Sequence, residues 1–272
     1  MSNHLVPLQP GTHSGLRLQP VPGHAFASQE TFIPIIIDEI GQVAREYPIV
    51  FLGKPLRPVA LLGVEAGRNA YVAPDGRWLA QYLPALLRHY PFALRPLPEP
   101  AAAEPETARI HPAGQPRLAL MIDDAAPCLS TTTGTPLFDG QGQLSAAIQQ
   151  IAQQIQRDTL RLAATRKLVA SIGEAGLLVE RRITLRAQDG SERPLGGLHT
   201  IDEKALNRLD HAAFARLRDS GALPLIYASL LSWSNFQLGP IGRSHPLPPT
   251  TPAPSATPPA TPSFLDGDTI RF

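Results

Sequence analysis

Between Leu144 and Gly173 apolar residues recur at alternating spacings of four and three: Leu144, Ile148, Ile151, Ile155, Leu162, Val169 and Ile172. That period places them on one face of a single long helix. Asp158 and Thr165 fill two positions of the same stripe with polar groups. Leu160 and Leu168 widen the apolar face, so the helix is expected to pack on this chain's own sheet. A homodimer through helix 144–173, as a coiled coil, is the other arrangement the stripe permits. Gly176 follows as a residue able to turn left-handed past the helix end.

The first half of the chain carries a different pattern. "FIPIII", "YPIVFLG" and "PVALLGVE" are short β-branched runs, with room for a short helix at 38–46. "NAYVAPDGRW", "PFALRPL" and "RLALMID" supply further strand candidates, and Asp75-Gly76 a turn. Within "DGRWLAQYLPALLRHYPFAL" (75–94), Pro84 can open a helix over 83–90 and Pro91 closes it. Leu83, Leu86, Leu87 and Tyr90 then share an inward face, with Arg88 opposite and His89 at the flank.

Downstream, "RRITLRAQDGSERPL" reads as a hairpin turning at Asp189-Gly190. Asp202 and Asp210 can cap helices 203–209 and 211–219, Gly221 ends the second, and a buried helix over 222–238 completes the pattern. The fold class is α+β: a β-rich half, 31–124, packed with a mainly helical half, 144–239, that carries one hairpin. Outside this globular part, 31–239, residues 1–30 lack periodicity and read as a mobile arm. Six prolines mark 96–116 as a loop or insertion, and nine prolines mark 240–262 as a tether. The terminal segment 263–272, "FLDGDTIRF" at its end, offers Phe264, Leu265, Ile270 and Phe272 for strand addition to a sheet edge.

Composition removes several function classes. A formal net charge of +1 leaves no electrostatic footprint for nucleic acid. Cys128 is the single cysteine, so neither an internal disulfide nor a cysteine-based zinc site is expected, and it reads as a buried small apolar side chain. No two of the eight histidines stand at i, i+2 or i, i+4, so no local zinc pair exists. No nucleophile elbow, phosphate loop or dinucleotide fingerprint occurs, and no metal or cofactor is indicated. Ser220 to Gly242 lacks charge over a length able to span a bilayer, but serines, Asn235, Gln237 and Gly239-Pro240 interrupt it, which favours a buried core helix. The N-terminus has neither a basic start nor a continuous apolar stretch, so the expected location is cytoplasmic.

Two clusters remain as candidate chemistry. Arg77, Trp78, Tyr82 and Arg88 concentrate cations and aromatics, with Trp78 able to stack on Arg77 or Arg88. Asp123 and Asp124 end a strand, where carboxylates can bind a metal or act as a base, although neighbours on a strand face opposite ways. His199 precedes a helix cap and reads as a side chain beside a turn.

"PIVFL", "PVALLGVE", "DGRWLAQYLPALLRHYPFAL", "GTPLFDGQG", "GLHTIDEKALNRL" and "SGALPLIYASLLS", in this order, resemble the SapC family of bacterial proteins over about residues 30–238. The family takes its name from bacterial surface arrays and is unrelated to the peptide-transport permease of the same name. The resemblance implies an accessory role beside surface layers or TonB-dependent outer-membrane receptors, near which such proteins are encoded together with halogenase-like flavoproteins. It carries no catalytic residues onto this chain. The insertion at 96–116 and the proline-rich tail depart from the family pattern. The leading expectation is therefore a non-catalytic binding protein with a protein partner in the cell envelope. The alternative is a tailoring enzyme with its site near 75–94 and 123–124.

Overall fold

Strands and helices are shared unequally along the chain in the computed structural model, which describes residues 5–96, 109–110, 118–186 and 192–244. In chain order the strands are β1 (Leu5–Pro7), β2 (Arg17–Leu18), β3 (Phe32–Pro34), β4 (Ile49–Leu52), β5 (Arg57–Leu61), β6 (Phe92–Pro96), β7 (Arg109–Ile110), β8 (Leu118–Asp123), β9 (Leu129–Ser130), β10 (Thr135–Pro136), β11 (Leu178–Arg186) and β12 (Glu192–Ile201). The α-helices are α1 (Pro10–His13), α2 (Ile40–Glu46), α3 (Ala146–Glu174), α4 (Glu203–Leu206), α5 (His211–Ser220), α6 (Leu223–Leu231), α7 (Asn235–Leu238) and α8 (Pro240–Ser244). Most strands lie in the first half and most helices in the second, an α+β fold.

The strands form three sheets. The largest runs β11-β12-β4-β5-β3, all antiparallel, so the late hairpin completes a sheet begun by the first half. A second sheet runs β1-β8-β6, with β7 also on β8, and a small third one runs β10-β2-β9. Each of the first two has its own hydrophobic core. Ile33, Val50, Phe51, Val59 and Leu62 lead the core of the large sheet, and α6 covers it with Leu225 and Ile226. Leu8, Phe92, Leu120, Ile122 and Leu137 lead the other.

Helix α3 bridges the two. Ile148, Ala152 and Ile155 sit in the second core, and Val169 and Ile172 in the first. At a rise of about 1.5 Å per residue a helix of this length reaches across both sheets. Ile148, Ile155, Val169 and Ile172 of the predicted stripe are thus buried within one chain, whereas Leu160, expected to widen the packed face, is exposed. Asp158 and Thr165, which break it, fall where the helix passes between the cores, and both are buried. Thr165 accepts a hydrogen bond from the Ile37 amide at 3.0 Å and donates to its own helix at Arg161 O.

Several local expectations match the structure. Asp202 accepts from the Lys204 and Ala205 amides and Asp210 from that of Ala213, as N-caps do. Gly221 ends α5 at φ 77°, a left-handed position that favours glycine. Cys128 is fully buried, and burial raises its thiol pKa.

Others need correction. Residues 5–30, expected as a mobile arm, are bound in. Leu5–Pro7 pair with Met121–Asp123, and Leu8 and Ala27 are fully buried. A segment of isolated apolar residues has no period to read, yet Leu8 and Ala27 each find a socket. The strand expected over 69–78 reduces to one bridge between Val72 and Trp78 across the Asp75-Gly76 turn. The helix expected over 222–238 is α6, one 3₁₀ turn at Ser232–Ser234, then α7. Residues 240–244, expected as the start of a tether, form α8 instead: Pro240 opens it and Ile241 is fully buried. Gly242 allows that packing: a Cβ there would meet Gln237 O at 2.3 Å. The turn at Asp189-Gly190, the rest of the tether and the segment 263–272 lie outside the described residues. Among those described, no helix is long and apolar enough to cross a membrane.

Candidate functional site

A half-open cleft of about 310 Å³ lies where α3 passes from one core to the other, facing the start of α2 and the 82–88 segment. Ile36, Asp38, Glu39, Tyr82, Arg88, Gln154, Arg157, Asp158 and Arg161 line it. Its volume falls within the range, about 300–1,000 Å³, of small-molecule sites.

Glu39 occupies the third position of a 3₁₀ turn, Ile37–Glu39, and its carboxylate reaches back to the Ile36 amide at 2.9 Å, half of a capping box. The other oxygen accepts from the Ala85 amide at 2.7 Å and the Tyr82 hydroxyl at 2.8 Å. Burial raises the Glu39 pKa above the ordinary carboxylate value, while these three donors and Arg88 pull against the rise. One helical turn pair further along α2, Glu46 accepts from the amides of Gln81 and Tyr82. Three backbone donors of the irregular segment 81–85 are therefore satisfied by two carboxylates rather than by a sheet.

The expected helix over 83–90 is a tight 3₁₀ turn, Ala85–His89, following Pro84. That pitch changes which residues face inward. Leu87 is buried as expected, but Tyr90 is only half-buried, and His89, expected at the flank, is buried. The His89 ring donates from Nε2 to Asp158 Oδ2 at 2.7 Å, and Gln154 donates to Asp158 Oδ1 at 2.9 Å. Burial lowers the imidazole pKa and Asp158 only partly restores it, so the ring is neutral at pH 7. Below the ordinary value of 6.5 the unfolded chain takes up a proton that the folded ring resists, so stability is lost as pH falls through 6.5. The melting temperature of the protein is expected to drop on acidification more steeply than that of His89→Gln, which keeps a donor toward Asp158 but cannot titrate. Equal slopes in thermal melts from pH 7.5 downward would exclude this role.

Of the four residues singled out by sequence, Tyr82 and Arg88 reach the cleft. Arg88 donates to the Tyr82 hydroxyl at 3.2 Å and lies 5.5 Å from the Tyr82 ring centroid, so the cation–π contact forms there and not on Trp78. Arg77 projects into solvent and pairs with Asp75 at 2.7 Å. Trp78 is a packing corner: its indole N–H donates to the Tyr47 hydroxyl at 2.9 Å, and its ring packs against Tyr71 and His24. The acidic pair separates, since Asp123 is buried and Asp124 exposed. Asp123 bonds the Tyr90 side chain, away from the cleft lining. His199 lies in β12 opposite Phe51. Among the described residues no three His, Cys, Asp or Glu side chains group as metal ligands.

Glu39, Arg157, Asp158 and Arg161 are not among the candidates the sequence offers, and it offers His89 only at the flank of the 83–90 segment. Asp158 left one trace, as a polar residue inside an apolar stripe. The two arginines lie at i and i+4 on α3, flanking that break. Nothing in the sequence joins them to Glu39, which lies more than a hundred residues away.

Fold and cleft together define an α+β protein with an arginine-rimmed pocket at the meeting of two cores. The chain matches the family model described as SapC over residues 8–238, and it belongs to the SapC family. No curated protein and no solved structure matches it.

Proposed function

We propose that the protein is a binding protein, not a catalyst, and that it serves a bacterial surface layer or a TonB-type outer-membrane uptake system from the cytoplasmic side. Family membership motivates the setting. One observation carries the binding reading: the acids that line the cleft are committed to donors of the protein itself. Glu39 takes three, Asp158 two, and Asp38 pairs with Arg161 at 2.8 Å. A general base needs an oxygen aimed at a substrate proton. The oxygens of Glu39 and Asp158 are buried in the fold, half-exposed Asp38 is held by Arg161, and His89 lies behind Asp158 rather than on the lining.

The tailoring-enzyme reading, with its site near 75–94 and 123–124, needs Trp78, Arg77 and an acidic group in one pocket. Trp78 is held in the core corner and Arg77 faces solvent, which speaks for binding. Affinity capture from the native bacterium, with the membrane and envelope fractions probed by mass spectrometry, tests the proposal. Specific enrichment of a receptor or surface-layer component is expected. Its absence, with the bait recovered folded, would remove the main support.

A further inference from the structure

We propose that the cleft is an anion site, in which Arg88, Arg157 and Arg161 jointly hold a carboxylate or phosphate group of a small ligand. The proposal rests on the binding reading above and names the ligand's chemistry. Three guanidinium groups from two segments line one cavity, and each is oriented through a polar partner. Arg161 is held directly by Asp38. Arg157 donates to Gln154 Oε1 at 2.7 Å, and Gln154 in turn donates to Asp158, which His89 anchors. Arg88 donates to the Tyr82 hydroxyl, which donates to Glu39. The same logic recurs three times: an acid at the end of a short relay fixes a cation at the rim.

This arrangement decides what the cleft can select. A guanidinium carries five N–H donors and no acceptor. Among the described residues, each of these three commits one N–H to its relay partner. Glu39 and Asp158 have both oxygens occupied by donors of the protein, and Asp38 has one oxygen on Arg161. The lining is thus rich in unused donors and poor in unused acceptors, so it favours a ligand whose recognised end only accepts. Carboxylate and phosphate fit, because two or three oxygens can take paired N–H groups in the fork geometry of arginine. Arg157 and Arg161 are one turn apart on α3, where like charges repel unless a counter-charge intervenes. Asp38 answers Arg161 alone, and an anion bound in the cleft would answer both.

Preorganisation strengthens the inference. Long arginine side chains lose much rotamer freedom on binding, and that loss falls when the free protein already holds them. Glu39 and Asp158, at 3% and 5% exposure, are buried deeply enough to keep their relays fixed.

The test is isothermal titration of the full chain at low salt with inorganic phosphate and with succinate, and sodium chloride as control. Saturable binding of at least one anion is expected, and whichever binds more tightly identifies the group. Arg88→Gln, Arg157→Gln and Arg161→Gln should each weaken it about tenfold, the loss of one charge-assisted contact. The triple variant should bind neither anion. Because all three side chains are exposed, the variants should retain the wild-type circular dichroism spectrum and cooperative unfolding. Arg157→Lys, which keeps the charge but not the fork, should fall between Arg157→Gln and the wild type. Unchanged affinity in the triple variant, or no response to either anion beyond chloride, would overturn the proposal. If anions fail while envelope components are still captured, the binding reading survives without its anion. If anions bind and no component is captured, the reverse holds.

Discussion

Glu39→Ala is expected to lower the unfolding free energy by about 3–5 kcal/mol, since it strands two backbone amides and a hydroxyl, each costing about 1–3 kcal/mol if left unpaired and some regaining water from the cleft. The donors are Ile36 N, Ala85 N and Tyr82 OH. Glu39→Gln keeps one carbonyl acceptor and should cost less than Glu39→Ala. The glutamine also loses a pH dependence. With its pKa raised in the fold, Glu39 keeps a proton that the unfolded chain has released, so its charged form costs stability as pH rises from the ordinary 4.5 through the folded value. Urea unfolding of the protein and both variants, at pH 4.5 and pH 7, measures both effects. A Glu39→Ala loss within the range of an ordinary surface substitution would show that the carboxylate does not organise the cleft.

Tyr47→Ala is expected to cost about 3–5 kcal/mol, the range for truncating a buried aromatic side chain. Tyr47 is fully buried, packs on Tyr71 with ring centroids 4.5 Å apart, and links Trp78 to the cleft. Its hydroxyl accepts from the Trp78 indole and donates to the Tyr82 carbonyl. Tyr47→Phe keeps the ring and removes that link. It should cost about 1–2 kcal/mol, because the Trp78 N–H retains Tyr82 O at 3.2 Å as a second acceptor. Trp78 fluorescence in a Trp233→Phe background reports the corner locally. If Tyr47→Ala left both the emission and the denaturation midpoint unchanged, Tyr47 would not hold Trp78 and Tyr82 in place.

The site shows how unevenly sequence exposes function. Tyr82 and Arg88 were visible because cations and aromatics crowd 75–94. The same crowding drew attention to Trp78 and Arg77, whose roles are packing and a surface pair. A local concentration of residue types gives no direction for a side chain. That direction depended on the turn being 3₁₀ and not α, which buried His89 and left Tyr90 partly exposed. In the sequence Asp158 and Thr165 are only polar interruptions of the α3 stripe. They mark where the helix leaves one core for the other, a distinction that needs both cores in view.

Sequence periodicity by itself determined the α+β class, the extent of α3, the caps at Asp202 and Asp210 and the left-handed turn at Gly221. Those features depend on the local spacing of apolar groups and on short-range hydrogen bonds, which neighbouring residues dictate. Only the tertiary structure decided that α3 bridges two cores, that residues 5–30 pack against the fold, and that Glu39, Arg88, Arg157 and Arg161 share one cleft. Those outcomes rest on contacts between residues far apart in the chain. A single buried carboxylate or a lone leucine in a socket has no period, so its partner appears only once the chain has closed around it.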